Sequence, residues 1–312
     1  MSQHTVPARW RVIAAFAAVY LIWGSTYLAM RFAIETIPPF LMGAVRYLGA
    51  GALLYAITRR RGAPTRLHWR DALIVGALLP FGGNGGVIWS QQFVPSSIAA
   101  LIVATASLWM VLLNWVRGDR VRPTLGVILG IGLGLFGIAL LVGIGEGGMN
   151  YNPIGIIVLL FAALAWASGS LYSRRAHTPA DPLQATALQM LVASGLFIIA
   201  GIATGEPQRV RLDLVSQRSL FAVGYLIVFG SLIAYSAYVW ILRVSTPTRA
   251  STYAFVNPVI AVFLGWALGG ETITPRTIIA TIAIVVAVAL IVTQQSPARD
   301  GASAIAPVKM DE

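Results

Sequence analysis

Residues 12–33 read VIAAFAAVYLIWGSTYLAMRFA, a run in which Arg31 is the only charged side chain. A helix of about 20 apolar residues is long enough to cross the roughly 30 Å hydrocarbon layer of a bilayer. Nine further runs of this kind follow, and they are continuously apolar rather than alternating, which excludes a transmembrane β-barrel. The sequence therefore predicts an all-α polytopic membrane protein with ten transmembrane helices, at approximately 12–33, 39–58, 71–93, 96–116, 124–143, 153–173, 182–203, 219–242, 250–268 and 275–293.

The composition of the chain agrees with a membrane protein. Of its 312 residues, 57% are hydrophobic and 11% are charged, whereas soluble domains carry about 25% charged residues. The net charge of +11 does not indicate nucleic-acid binding, because the arginines form short clusters between apolar runs. There is no cysteine, and His4, His68 and His177 all lie in tails or loops. We therefore expect no metal site and no cofactor.

The basic residues also predict the orientation of the chain. If the N-terminus is cytoplasmic, sixteen lysines and arginines flank the cytoplasmic ends of the spans, and four lie in the outer loops. This excess follows the positive-inside rule. We expect a multi-pass protein of the bacterial cytoplasmic (inner) membrane with both termini in the cytoplasm.

The second half of the chain repeats the first. Trp23-Gly24-Ser25 aligns with Trp166-Ala167-Ser168 at an offset of 143, and GALLPFG (76–82) aligns with GYLIVFG (224–230) at an offset of 148. Residues 1–147 and 148–312 would each hold five spans. Because five is odd, the second repeat is predicted to be inverted relative to the first. Inverted repeats are typical of secondary transporters, whose substrate site lies between the repeats near the bilayer midplane.

Several motifs together resemble the EamA-type drug/metabolite transporter (DMT) superfamily. They are WGSTY (23–27), PPFL (38–41) followed by Arg46-Tyr47, and Asn257-Pro258 followed by Gly270-Glu271. The resemblance covers nearly the whole chain, and within the superfamily it is to amino-acid exporters. It implies an exporter of small metabolites, amino acids including aromatic ones, with drugs or other metabolites as the alternative substrates. One position departs from the pattern: Ala106 stands where the second half has Pro258, so we expect the kink at Pro258 to be missing from the fourth span.

The third run contains the helix-loosening stretch PFGGNGG (80–86). Proline removes a backbone hydrogen bond, so we expect a bend near the midplane. Transporters bind substrates at such broken helices. Asn84 is therefore a candidate for hydrogen bonding to the substrate, with close helix packing by small residues as the alternative interpretation. The residues that we assign to hinges or gates are Pro80, Gly82, Gly83, Gly85, Gly86 and Pro258.

Aromatic and polar side chains recur four residues apart, on one helix face, in four spans. A cavity with such walls suits an aromatic or amphipathic solute, whereas an interfacial aromatic belt or lipid-facing packing is the alternative. Trp89, Gln91 and Tyr235 are weaker candidates for the same cavity. The four pairs that we assign to substrate binding are Trp23 and Tyr27, Thr105 and Trp109, Trp166 and Ser170, and Tyr253 and Asn257.

Arg46 is the cation placed well inside a span, where a charge costs roughly 2.5–3.5 kcal/mol on insertion scales. We interpret it as a group that binds a substrate carboxylate or acts in gating. The alternative is an arginine that snorkels outward or binds the carbonyl end of a helix.

The eleven acidic residues lie in loops, tails or span ends. A proton relay needs a titrating group inside the membrane, so we expect alternating-access transport without proton coupling. Sodium coupling through carbonyls and hydroxyls stays open. The sequence contains neither H-E-x-x-H nor G-x-S-x-G, and we expect no enzyme. A non-transporting scaffold or receptor is the alternative of another class.

Gly126, Gly130 and Gly134 form a close-packing ridge in the fifth run. We expect this ridge to contact Ala283 and Ala287 of the tenth run, and a homodimer contact is the alternative. The choice between monomer and homodimer therefore stays undecided.

Overall fold

The computed structural model describes residues 8–116, 124–142, 151–245 and 252–294, and the regular structure within these ranges is entirely helical. Eight helices are long and apolar enough to cross a membrane, and two shorter apolar helices complete the predicted ten. The protein is thus a polytopic helical membrane protein, as predicted. The helices are α1 (Arg9–Ala33), α2 (Pro39–Thr58), α3 (Arg66–Ser90), α4 (Ser96–Val116), α5 (Leu125–Val142), α6 (Pro153–Ser173), α7 (Pro182–Ala203), α8 (Gln217–Val244), α9 (Tyr253–Gly269) and α10 (Pro275–Gln294).

Local sequence explains where several of these helices begin. Pro39, Pro153, Pro182 and Pro275 each occupy the first position of a helix, where the missing N–H costs no intrahelical hydrogen bond. The side chain of Asp181 also accepts a hydrogen bond of 2.9 Å from the Leu183 N–H and so caps α7.

The packing of the helices is preserved when α1–α5 are exchanged with α6–α10. Helix α1 packs on α8 and α9, and α6 correspondingly packs on α3 and α4. Three further contacts join a helix to its own counterpart in the other half, so the exchange leaves them unchanged. They are the contacts of α2 with α7, of α5 with α10 and of α4 with α9. The core that these contacts bury lies between the helices, while many large apolar side chains on the outer faces stay exposed to the lipid side.

Helices α3 and α8 contain π-helical segments at matching positions, Ala77–Gly85 and Leu226–Ile233. The bend expected at Pro80 falls within the first of these segments, where wide turns with i→i+5 bonding carry the helix through the region. Proline is not their cause, because Val228 stands at the matching position of α8. The two segments instead have a glycine at the same position, Gly82 and Gly230. Each glycine lies close to a neighbouring helix: an added Cβ would lie 3.1 Å from Ala165 at Gly82 and 3.0 Å from Thr26 at Gly230.

The fourth span is interrupted, contrary to the expectation that it lacks the irregularity of its repeat partner. Helix α4 is interrupted at Thr105, between Ser96–Ala104 and Ala106–Val116, although it has no proline there. At the interruption, the Thr105 hydroxyl donates to the carbonyl oxygen of Ile102 at 2.5 Å. Helix α9 instead continues through Pro258.

The glycine ridge of α5 packs against α10 of the same chain, as predicted. A Cβ added at Gly130 would lie 2.8 Å from Cγ1 of Ile291 and 3.0 Å from the carbonyl oxygen of Ala287. Gly132, two residues farther on, meets nothing within 4 Å.

We expect Gly130→Leu to lower the free energy of unfolding by about 1–3 kcal/mol, because overpacking forces the two helices apart. Thermal unfolding in detergent would measure this loss, with Gly132→Leu as the matched control that changes little. Equal losses in the two variants would contradict the assigned face of α5.

Candidate functional site

An aromatic cluster joins α1 to α8 and α9. The ring of Trp23 lies 5.1 Å from that of Tyr238, 5.1 Å from that of Tyr253 and 6.4 Å from that of Tyr235, measured between centroids. The rings of Tyr238 and Tyr253 are 5.5 Å apart at 85°, a favourable edge-to-face arrangement. We call these four residues the aromatic cluster. It extends from Trp23 in the middle of α1 toward the end of the bundle where α8 ends and α9 begins.

Two members of the aromatic cluster were not among the assigned binding residues. Tyr238 was not singled out, and Tyr235 was only a weaker candidate. A signal for both was available, because Tyr235 and Tyr238 are three residues apart and share one face of α8. Tyr20 has the same spacing from Trp23, and its hydroxyl is hydrogen-bonded to Thr252 at the start of α9.

Arg46 is buried in α2, with 5% of its surface exposed. Its Nε donates to the Ser231 hydroxyl at 3.3 Å, and its guanidinium carbon lies 4.9 Å from the centroid of the Tyr47 ring. Its Nη1 has no hydrogen-bond partner among the described residues. The guanidinium thus lies inside the bundle rather than at its surface.

Gly230, in the π-helical segment of α8, connects Arg46 to the aromatic cluster. Its carbonyl oxygen accepts a hydrogen bond of 3.2 Å from Nε1 of Trp23. A Cβ added at Gly230 would lie 3.6 Å from Nη2 of Arg46 and 3.0 Å from the methyl group of Thr26. The indole and the guanidinium thus both approach one backbone position that carries no side chain.

Asn84 and Trp166 lie in a second region, between α3 and α6. The Trp166 ring packs on Gly83, where an added Cβ would lie 2.8 Å from Cε3. Asn84 is partly buried, and no hydrogen bond of its side chain occurs among the described residues. Beside them, α3 and α6 border an apolar groove of about 390 Å³, lined by Leu78, Gly82, Gly86, Val158, Phe161, Ala162, Leu164, Ala165 and Ser168.

The other assigned residues are more scattered. Thr105 is buried at the interruption of α4, while Trp109 and Ser170 are half-buried. Within the described ranges, no side-chain hydrogen bond or ring contact joins these three to the aromatic cluster or to Arg46. The carbonyl oxygen of Tyr27 accepts a hydrogen bond of 3.0 Å from the side chain of Gln91.

Asn257 is buried on α9, one turn beyond Tyr253, and its Oδ1 accepts no hydrogen bond. Close to it, α1 and α9 cross at Gly24, where an added Cβ would lie 2.7 Å from Ile260 and 3.3 Å from the Asn257 carbonyl oxygen. At this crossing, Asn257 of α9 lies against the motif WGSTY of α1.

Two carboxylates tie helices together at the opposite end of the bundle. Glu271, just after α9, accepts hydrogen bonds from the backbone N–H and the hydroxyl of both Ser96 and Ser97 at the start of α4. Glu206, just after α7, accepts from the N–H groups of Phe40 and Leu41 at 3.1 and 2.9 Å. Each carboxylate satisfies N–H groups in the first turn of another helix.

Comparison with known proteins identifies the family. The model of the EamA-like transporter family matches residues 10–143 and, a second time, residues 153–293. The chain belongs to the EamA-like transporter family. This membership places it among transporters rather than enzymes, and it sets aside the scaffold or receptor alternative.

Individual relatives of the EamA-like family agree in length and class. The inner membrane transporter YedA of Escherichia coli is 40% identical over 283 residues, which cover 90% of each chain. The transporter YoaV of Bacillus subtilis is 26% identical and covers 88% of this chain and 94% of its own. A crystal structure with 22% identity shares the fold, with a TM-score of 0.60 over 91% of this chain and 96% of that one. The protein is an inner membrane transporter.

Proposed function

We propose that this transporter exports small metabolites, amino acids and aromatic ones among them, by alternating access and without proton coupling. The aromatic cluster is the observation that carries this proposal. Trp23, Tyr238 and Tyr253 bring π surface and hydroxyl groups together between three spans, next to a buried arginine. Aromatic walls with a few polar groups suit a substrate that is itself aromatic and amphipathic.

Alternating access is supported by the symmetry of the helix contacts. We propose that residues 1–147 and 148–312 act as two inverted five-helix units that rock about the contacts of α2 with α7 and of α4 with α9. The π-helical segments of α3 and α8 would supply the flexible turns, with Pro80, Gly82, Gly83, Gly85 and Gly86 in or beside the first of them. Pro258 would play the same part in α9.

In the conformation described, the rings of the aromatic cluster touch one another. We propose that opening toward this end of the bundle separates Trp23 from Tyr238 and Tyr253 and admits the substrate between them. With both termini in the cytoplasm, as the arginine distribution predicts, this end faces the cytoplasm, from which an exporter takes its substrate.

The absence of proton coupling is supported by the positions of the carboxylates. Each described acidic side chain lies at a span end or in a loop and already has a donor, as do Glu206, Glu271 and Asp71. A carrier without an internal titrating group would move its substrate down the substrate gradient.

The test is flux of phenylalanine and tryptophan into liposomes that contain only the purified protein, with and without an imposed pH gradient. We expect saturable flux that is absent from empty liposomes and unchanged by the gradient. Flux that requires the gradient would contradict uncoupled transport. No flux of either amino acid would contradict the proposed substrate class and favour drugs or other metabolites.

We expect Trp166→Ala and Asn84→Ala each to lower this flux several-fold without preventing folding. Both side chains are only partly buried, so their loss costs less packing than that of a core residue. Flux and thermal unfolding would be measured on the same preparations, with Trp69→Ala, at an exposed position near the start of α3, as the control. Normal flux in both variants would remove α3 and α6 from the substrate site.

A further inference from the structure

Arg46 lies within the apolar part of the bundle. It is the eighth residue of α2, about 10 Å along the helix from its first residue at 1.5 Å per residue. Burial of a charge at such depth is costly unless the charge is paired or strongly hydrogen-bonded. Among the described residues, its polar contacts are one hydroxyl, that of Ser231, and the face of the Tyr47 ring.

No counter-ion for Arg46 occurs among the described residues. The six acidic side chains in these ranges are all engaged elsewhere, four of them in ion pairs and two at helix N-termini. The ion pairs are Glu35 with Arg218, Asp71 with Arg70, Asp181 with Arg61 and Asp213 with Arg211, and the carboxylates at helix N-termini are Glu206 and Glu271.

The guanidinium is therefore held in place but incompletely bonded. Ser231 fixes Nε, whereas the buried Nη1 has no acceptor. Gly230 lets α8 pack closely beside the guanidinium, because a Cβ there would lie 3.6 Å from Nη2 and 3.0 Å from the methyl group of Thr26. A planar guanidinium with free donors matches a carboxylate, which accepts two parallel hydrogen bonds from it.

The position of the Arg46 guanidinium also defines how a ligand would lie. Trp23 donates to the Gly230 carbonyl oxygen, so the aromatic cluster begins at the same residue that Nη2 of Arg46 approaches. A molecule whose carboxylate meets Arg46 can therefore direct an aromatic side chain toward Trp23. An amine could not replace the carboxylate, because a positive charge would face the guanidinium.

We infer that Arg46 binds the carboxylate of the transported molecule and that the substrate class is small organic carboxylates, with the amino group dispensable. This inference rests on the proposed function for the position of the substrate site. It excludes cationic drugs as substrates, since they bring no counter-ion to Arg46.

The test compares three molecules of matched shape: phenylalanine, 3-phenylpropanoate, which lacks the amino group, and phenethylamine, which lacks the carboxylate. Ligand binding to the folded state raises the unfolding temperature, so thermal unfolding of the purified protein reports binding without transport. We expect phenylalanine and 3-phenylpropanoate to raise it and phenethylamine to leave it unchanged. Stabilisation by phenethylamine equal to that by phenylalanine would overturn the inference.

Variants of Arg46 separate its role from that of its surroundings. We expect Arg46→Gln, which introduces the residue found at the repeat-related position 189, to weaken phenylalanine binding about 10- to 100-fold. Arg46→Lys keeps the charge and should retain part of the affinity. Arg218→Gln, which removes an exposed arginine in α8, is the charge-matched control and should bind as the wild type does.

The outcomes distinguish the inference from the function on which it rests. Unaltered phenylalanine binding by Arg46→Gln would overturn the role of Arg46 while leaving amino-acid transport in place. Binding and flux of 3-phenylpropanoate without any of phenylalanine would contradict amino-acid export and support the carboxylate site. Failure of all three molecules to bind the wild type would overturn both. If Arg46→Gln does not fold, the comparison of the three molecules on the wild type still decides.

Discussion

Replacing Glu271 by alanine is expected to lower the free energy of unfolding by about 3–5 kcal/mol, because hydrogen bonds to a charged group contribute about 1.5–3 kcal/mol each. The carboxylate accepts from the N–H groups of Ser96 and Ser97 at 2.7 and 3.0 Å and from both hydroxyls. Its removal leaves the first turn of α4 without acceptors where little water reaches it. The apparent unfolding temperature in detergent measures the loss.

The backbone around Glu271 holds this carboxylate in position. Gly270 adopts a positive φ of 67°, and the Glu271 N–H donates to the Gly265 carbonyl oxygen at 3.0 Å, which turns the chain back against α9. A Cβ at Gly265 would lie 2.6 Å from Oε2 of Glu271. We therefore expect Gly265→Ala to destabilise the protein in the same direction.

The control for Glu271 is Glu35→Ala. Glu35 is 3.5 Å from Arg218 in an exposed ion pair, and such pairs contribute about 1 kcal/mol or less. If Glu35→Ala and Glu271→Ala reduced the unfolding temperature equally, the carboxylate of Glu271 would not be holding α4. Glu271→Gln should fall between the two, because its amide nitrogen would face an N–H donor.

The helices could be predicted from the sequence because the bilayer imposes one strict requirement, a run of about 20 apolar residues for each span. The interruption of α4 could not be predicted from the sequence. Thr105 donates to the carbonyl oxygen three residues before it, and Thr26 makes the same bond to Trp23 at 2.6 Å inside the continuous helix α1. The same local interaction therefore accompanies two different backbones, and the surrounding packing decides between them.

The candidate site, too, could be predicted from the sequence only in part. Arg46 and most of the aromatic residues could be named as candidates from residue type and span position, but whether Arg46 stays inside the bundle could not be predicted. That Trp23 meets Tyr238 could not be deduced, because the two lie in different halves of the chain and contact depends on how α1 packs on α8. The missing counter-ion of Arg46 needed the positions of all the described carboxylates, which depend on tertiary structure.

Replacing Trp23 by alanine is expected to reduce amino-acid flux at least tenfold and the free energy of unfolding by about 3 kcal/mol, the lower end of the usual range for truncating a tryptophan, because Trp23 is only partly buried. The variant loses ring contacts with Tyr238 and Tyr253 at 5.1 Å and the hydrogen bond from Nε1 to the Gly230 carbonyl oxygen. That carbonyl belongs to a π-helical segment, so Trp23 both lines the site and fixes the turn beside Arg46.

Trp23→Phe separates these two contributions. It keeps an aromatic ring and removes the N–H donor, so we expect a smaller loss of stability, about 1–3 kcal/mol for the unsatisfied carbonyl, and flux between those of the wild type and Trp23→Ala. Trp115→Ala, which truncates a side chain that is 62% exposed at the end of α4, is the control and should match the wild type in both measurements. Flux that is normal in Trp23→Ala would show that the aromatic cluster only packs α1 against α8 and α9. Flux lost equally in Trp23→Phe and Trp23→Ala would instead assign the effect to the hydrogen bond at Gly230.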